Sequence, residues 1–269
     1  MEPSENRETI QALPQEPRTL TAIYLAKRNP RLERGEFPRR WRSHGELALS
    51  LPFMDPCIGY FHDDVLADPP RDADPYTANL WSADPDGVGI VMFASPTDVE
   101  SLFNHPDFPT LLADEWGAFY KQVEDFVVLT QESIYKARLG TAIRLFIFLR
   151  PRAGVDGDTF ASRWLRHVGL VMSSPELAEL AMHYVHYTPL TPADTGDGDE
   201  TVREWLDQGL TDVAGVASVG FASRADMEAY LGHPDRAAVG ADLAEFADLD
   251  ASLMLATNEV TMKATRRLR

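Results

Sequence analysis

The sequence predicts an α+β fold made of one structural unit used twice, and three observations carry that reading. "FPRRWRSHGELALSLP" (37–52) and "FASRWLRHVGLVMSSP" (160–175) share Phe, Arg, Trp, His, Leu and Pro at matching positions. Setting His44 on His167 gives an offset of 123 residues, which also brings Lys27 onto Arg150 at the ends of the apolar runs "TAIYLA" and "RLFIFL". With small insertions, Tyr60 and His62 fall on Tyr184 and His186, Trp81 on Trp205, and His105 on His233, leaving only His183 unpartnered among the 7 histidines.

Each copy reads in the same order. "TAIYLA" is a short apolar run of strand type. Phe37, Arg40, Trp41, His44, Leu47, Ala48 and Leu51 then recur at three- and four-residue spacing, a single helical stripe that Pro52 ends. "CIGYFHDDV" and "GVGIVMFAS" read as two strands. A second helix starts in "SPTDVESLFNH" with Ser95 as its N-cap, a further helical stretch covers "DFPTLLADEWGAFYKQV", and "EDFVVLTQE" closes the copy as a strand. The order βαββαβ is that of the ferredoxin-like unit, which has helices on one face of its sheet and needs cover for the other. The sequence therefore predicts two tandem ferredoxin-like repeats packed sheet to sheet as an intramolecular pseudo-dimeric α+β barrel. The limits are a flexible tail over 1–19, repeat 1 over 20–132, a linker over 133–141, repeat 2 over 142–262 and a basic tail over 263–269. Two connections rich in Pro, Asp and Gly, "LADPPRDADPYTAN" and "YTPLTPADTGDGDETV", are long for hairpin loops and read as flaps at pocket mouths.

Composition narrows the function. A net charge of −17 repels nucleic acid and anionic membrane surfaces. The single cysteine, Cys57, cannot close an internal disulfide and reads as a small buried hydrophobe. No run has membrane-spanning length and the N-terminus lacks a signal-peptide pattern, so a cytoplasmic location is expected. Neither GxGxxG nor GxxxxGK[ST] occurs, and no two histidines have i, i+4 spacing, so neither a cofactor nor a metal is expected.

The motif "FPRRWRSHGELALSLP", together with "FASPTDVESLFNHPDFPTLLADEWGAF" and a strand ending "LTQE", resembles the EthD family of the dimeric α+β barrel superfamily. The resemblance implies a pocket between each sheet and its own helices. It also implies chemistry of the polyketide-tailoring kind, dehydration of aromatic polyketides included. Related tandem barrels bind haem through one histidine, and the sequence alone does not separate that case from an empty pocket.

His44 lies in the apolar stripe one turn from Trp41 and Arg40, so it points at the sheet. Its two readings are a core histidine bonded to a backbone carbonyl and a general acid/base; with the resemblance, the catalytic one leads. Tyr60 and His62 alternate on one strand and share a face. That face meets either the helices, where Tyr60 would hold an oxyanion beside His44, or the other repeat. Asp114 is the third catalytic candidate, as the group that orients the imidazole. Trp41, Arg40, His62, Trp81, Trp116, His167, His183 and Tyr184 form the expected binding set, with His183 and Tyr184 on opposite faces. His105 and His233 read as cations capping a helix end. Val168 stands where repeat 1 has Gly45, so repeat 1 is expected to carry the chemistry and repeat 2 the scaffold. The expected activity is a cofactor-independent lyase of dehydratase type on an aromatic or polyketide-like small molecule. The alternatives are a cofactor-free monooxygenase of phenolic or polyketide substrates and a non-catalytic binding protein. The chain is expected to be a monomer, a pseudo-dimer in itself, with a weak homodimer as the other case.

Overall fold

The computed structural model describes residues 19–68, 70, 74–95, 98–99, 102, 104–120, 127–191 and 209–264. The first half of the chain gives β1 (Leu20–Ala26), α1 (Phe37–Ser50), β2 (Cys57–Val65), β3 (Gly87–Phe93), α2 (Phe108–Ala118) and β4 (Val127–Ala137). The second half gives β5 (Ile143–Leu149), α3 (Gly157–Ser173), α4 (Pro175–Leu180), β6 (His183–Pro189), β7 (Gly215–Phe221), α5 (Arg224–Leu231), α6 (Arg236–Ala244), β8 (Leu253–Asn258) and β9 (Thr261–Ala264). The helix expected to start at Ser95 falls largely outside the described residues, although the Asp98 amide does donate to Ser95 Oγ as an N-cap requires.

The strands form one sheet in the order β3-β1-β4-β6-β7-β5-β8-β2, and β2 pairs again with β3, so eight strands close into a barrel. Within each half the order is the same, β2-β3-β1-β4 and β6-β7-β5-β8, and the neighbouring pairs are antiparallel. The halves meet along two seams. One is the β4–β6 ladder from Thr130↔Pro189 to Ala137↔His183; the other is the short β2–β8 pairing at Asp64↔Asn258 and Val65↔Thr257. The contact is thus edge to edge as well as face to face: the inner sheet faces enclose Ile23, Val88, Ile90, Phe146, Phe148, Val185 and Leu255. The helices lie outside, over two further cores that belong to the two halves. Among the described residues no helix is long and apolar enough to cross a membrane.

Two expected boundaries change. The linker placed at 133–141 is strand as far as Ala137, because "SIYKA" continues the alternation of β4 and pairs with β6. The tail placed at 263–269 begins as strand, since β9 adds to the free part of β2 at Gly59–Phe61. The tail at 1–19 lies outside the described residues except for Thr19, which is buried. A described residue beside or within each long connection reaches the other half. Leu80, after the first, is buried in the second-half core, and Leu190, in the second, packs on the first-half core. Residues 192–208, which include Trp205, are outside the described residues.

Candidate functional site

Helix α1 buries Phe37, Trp41, His44, Gly45 and Ala48, the stripe expected from its spacing. Trp41 is fully buried and lies in a stack of three rings: Phe37 is 5.3 Å away on one side and His62 4.2 Å away on the other, nearly parallel. This settles the orientation of β2, whose Tyr60 and His62 face the helices. Gly87, at the start of β3, makes that approach possible, because a Cβ there would sit 2.2 Å from the Trp41 ring. The Trp41 indole N–H donates to Tyr24 Oη at 3.3 Å.

One turn along α1, His44 is 3% exposed and its Nδ1 is 2.8 Å from Asp114 Oδ2 on α2. Arg40 clamps the same carboxylate with two hydrogen bonds, of 3.0 and 2.7 Å, and a third to the Asp114 carbonyl at 2.8 Å. The carboxylate therefore accepts a hydrogen bond from the proton held on Nδ1, which leaves Nε2 as the nitrogen with a lone pair. Burial lowers the His44 pKa from its ordinary 6.5, and this outweighs the opposing pull of Asp114, so the ring is neutral at pH 7. Burial also pushes the Asp114 carboxyl up, yet Arg40 and His44 together hold it below the usual value. Phe119 packs edge-on to His44 at 5.3 Å.

The second half repeats the arrangement. His167 Nδ1 is 2.8 Å from Asp242 Oδ2, Trp164 stacks on His186 at 3.9 Å, and Phe246 stands edge-on to His167 at 5.9 Å. Gly215 admits Trp164 as Gly87 admits Trp41. Tyr184 lies edge-on to His186, as Tyr60 does to His62, and its hydroxyl is 3.2 Å from His186 Nε2. Burial holds His62 and His186 well below the ordinary histidine pKa and raises Tyr60 and Tyr184 well above that of a phenol. Both ring nitrogens of His62 lack a hydrogen-bond partner among the described residues.

The second-half set encloses a cavity of about 20 Å³ lined by Trp164, His167, Tyr184, Tyr230 and Arg236 among others, enough for about one water. A porphyrin does not fit there. Among the described residues no group of three His, Cys, Asp or Glu side chains could hold a metal ion.

Several expected site residues lie elsewhere. Trp116 is 59% exposed on the outer face of α2. Trp81 packs on the second-half core and bridges to Met254, away from the His44–Asp114 pair. Arg40 is held by Asp114 and serves the carboxylate rather than a ligand. His183 points to the barrel side, where burial and then Arg144 hold its pKa down, whereas Tyr184 points to the helices. Tyr60 packs on His62 and bonds Tyr24, so His62 is its neighbour rather than the His44 imidazole. His105 and His233 accept the amides of Asp107 and Asp235 through Nδ1, so the contact each makes is to the turn that follows it and not to the end of the helix before it. Cys57 is buried and burial raises its pKa, which keeps the thiol protonated.

The reason given for favouring the first half also changes. A Cβ on Gly45 would meet His62 Cε1 at 2.5 Å and Met262 at 3.0 Å, so this glycine admits protein side chains and not a ligand. Val168 is fully buried in the second-half core beside an intact His–Asp pair. Sequence reasoning missed Asp242, Phe119, Phe246, His186 and Tyr24. The signal for three of them, Phe119, Asp242 and Phe246, was present: "ADEWGAF" and "ADLAEF" place Ala-Asp shortly before Phe in each half.

A closed α+β barrel carrying, under the helices of each half, a buried histidine paired with a partly exposed aspartate is the class that fold and geometry define. Residues 29–123 match the EthD domain family model. Two solved structures share the fold over nearly the whole chain. One is an anthrone oxidase-like protein, 10% identical, covering 95% of this chain and 98% of its own with a TM-score of 0.58. The other is a proposed monooxygenase from Fusobacterium nucleatum subsp. nucleatum ATCC 25586, 5% identical, covering 93% and 99% with a TM-score of 0.55. No curated protein matches the sequence.

Proposed function

We propose that the protein is a small-molecule-processing enzyme that works by proton transfer, a cofactor-independent lyase of dehydratase type on an aromatic or polyketide-like carbonyl compound. The observation that carries this reading is the pair His44–Asp114, a neutral imidazole with Nδ1 tied to a clamped carboxylate and Nε2 left as a base. Nε2 takes the proton next to the substrate carbonyl, and Asp114 stabilises the imidazolium that forms. The same nitrogen returns the proton to the β-hydroxyl, the C–O bond breaks, and water leaves as the double bond forms. Phe119 and the Trp41 stack keep the surroundings apolar, which strengthens the His–Asp interaction. His167–Asp242 is the second copy of this pair, and the chain is read as two ferredoxin-like units, 20–132 and 142–262. The substrate is taken from polyketide-type secondary metabolism, and the protein is read as a cytoplasmic monomer.

The names of the two fold neighbours favour a second reading, cofactor-free oxygenation of a phenolic substrate, which needs the same base. Anthrone distinguishes the two, because it carries an acidic CH₂ next to its aromatic rings. Incubation in D₂O under nitrogen should speed deuterium entry at that carbon, followed by NMR. Under air, the lyase reading expects no enzyme-dependent oxygen uptake, and the oxygenase reading expects uptake with formation of the quinone. Neither exchange nor uptake above the buffer rate would leave a binding protein and end the catalytic reading.

A further inference from the structure

The internal repeat extends into two strand arms that cross between the halves. "ESIYKA" (132–137) and "EVTMKA" (259–264) share Glu, Lys and Ala at the same three positions. The first is the end of β4, which pairs with β6 of the second half; the second leads into β9, which pairs with β2 of the first half. The registers agree: Lys136 faces Tyr184 and Ala137 faces His183, as Lys263 faces Tyr60 and Ala264 faces Gly59. The lysines also end alike. Lys136 Nζ donates to the Ala178 carbonyl, and Lys263 Nζ donates to the carbonyls of Met54 at 3.0 Å and Asp55 at 3.2 Å.

Both ladders shift register at one residue, Tyr135 in β4 and Met262 in β9, which the pairing skips. A bulge re-aims the side chain that it frees. The Tyr135 ring lies 5.1 Å from His186 and 6.1 Å from Tyr184. Met262 Cε lies 3.0 Å from where a Cβ on Gly45 would sit, and His62 Cε1 lies 2.5 Å from the same point. A side chain from the second half is thus wedged against α1, at the residue after His44, beside the imidazole that stacks on Trp41. That imidazole is also faced by Arg42 and His44 from α1 and by Tyr60 on its own strand. The start of the arm is tied to the same strand: the Val260 carbonyl accepts the His62 N–H at 2.9 Å, and the Val260 N–H donates to Asp63 Oδ1 at 3.3 Å.

We propose that Met262 and Tyr135 are positioning residues exchanged between the halves, each completing the histidine site of the half to which it does not belong. This deepens the reading of His44–Asp114 as a proton-transfer pair and rests on it. Met262 fills the space at Gly45 and keeps water from His62, whose two ring nitrogens lack a partner among the described residues. It thereby fixes the stretch of α1 that presents His44 to Asp114. Tyr135 serves the stack of Trp164 and His186 in the same way.

Histidine NMR titration of the full chain tests this without substrate. Met262→Ala opens the first-half stack to water, so the midpoints of His44 and His62 should rise towards the ordinary 6.5 while that of His186 stays. Tyr135→Ala should raise His186 and leave His44 and His62. Met262→Leu keeps the volume and should preserve the wild-type midpoints. If Met262→Ala fails to fold by circular dichroism, Lys263→Ala removes the two hydrogen bonds at the tip of β9 and should move the same two midpoints. In anthrone exchange at equal folded concentration, adding Met262→Ala to His167→Gln should lower the rate roughly 10–100-fold, and adding it to His44→Gln should leave the rate unchanged. Unmoved midpoints in Met262→Ala, or a rise shared by the rings of both halves, would overturn the proposal. Half-specific movement without anthrone exchange would sink the catalytic reading alone, and exchange without that movement would sink this one alone.

Discussion

His44 is the residue on which the catalytic reading turns, and its environment predicts how substitutions divide. His44→Gln keeps the volume and one donor but cannot move a proton near neutral pH, so exchange should fall roughly 10²–10⁴-fold. Loss of the Asp114 contact should cost no more than about 1–3 kcal/mol in denaturant unfolding. A variant that loses stability and keeps its rate per folded molecule would make His44 a structural residue. Gly45→Ala should behave in the opposite way. Its Cβ meets His62 Cε1 at 2.5 Å in a packed stack, so about 1–3 kcal/mol of stability should go while His44–Asp114 remains bonded. The stripe on α1 was legible because helical spacing alone aims Trp41 and His44 inward. The direction of Tyr60 and His62 was not, because alternation on a strand gives two faces without saying which meets the helices. Trp81 and Trp116 were misplaced for a related reason: an aromatic side chain has no sequence mark that separates a pocket wall from a half-exposed surface.

Among the elements, the β2–β8 seam combines the two halves with a buried ion pair. Asp63 on β2 is fully buried and accepts from Arg144 on β5 at 3.3 Å, and Arg144 also meets Glu259 after β8 at 2.7 Å. Burial raises the Asp63 pKa to about 7, even with Arg144 opposing it. A pKa raised by folding means that the folded state favours the proton, so this group adds stability as pH falls from about 7 towards its ordinary 3.8 and opposes folding above 7. Asp63→Asn should therefore be more favourable at pH 8 than at pH 5, read as the difference in melting temperature from wild type. An equal effect at both values would show that Asp63 stays ionised throughout. The halves could be read from the repeat, but this seam could not. A sequence that repeats at a fixed offset says which elements recur, and the strand edges that meet depend on side chains such as Ile134 and Tyr135, which looked like linker. The β4 extension supplies the other seam in the same way.

At the scale of the whole molecule, the buried imidazoles set the response to acid. His44, His62 and His186 all have pKa values lowered by burial from 6.5. The unfolded chain takes up those protons first, so their contribution is present above about pH 6.5 and is lost as pH falls below it. Melting temperature should start to fall below that value, ahead of the carboxylate range, despite the opposite contribution of Asp63. A flat profile down to pH 5 would mean that these rings are already charged or exposed. Eight strands closed within one chain need no second copy to cover them, so sedimentation should give a compact monomer. What unites these scales is the use of one His–Asp pair in each half, and the anthrone exchange rate measures that directly. Wild type, His44→Gln, His167→Gln and the double variant should be compared under nitrogen in D₂O at equal folded concentration. The account predicts that at least one single variant loses most of the exchange and that the double variant falls to the buffer rate. Exchange in the double variant equal to wild type would contradict it.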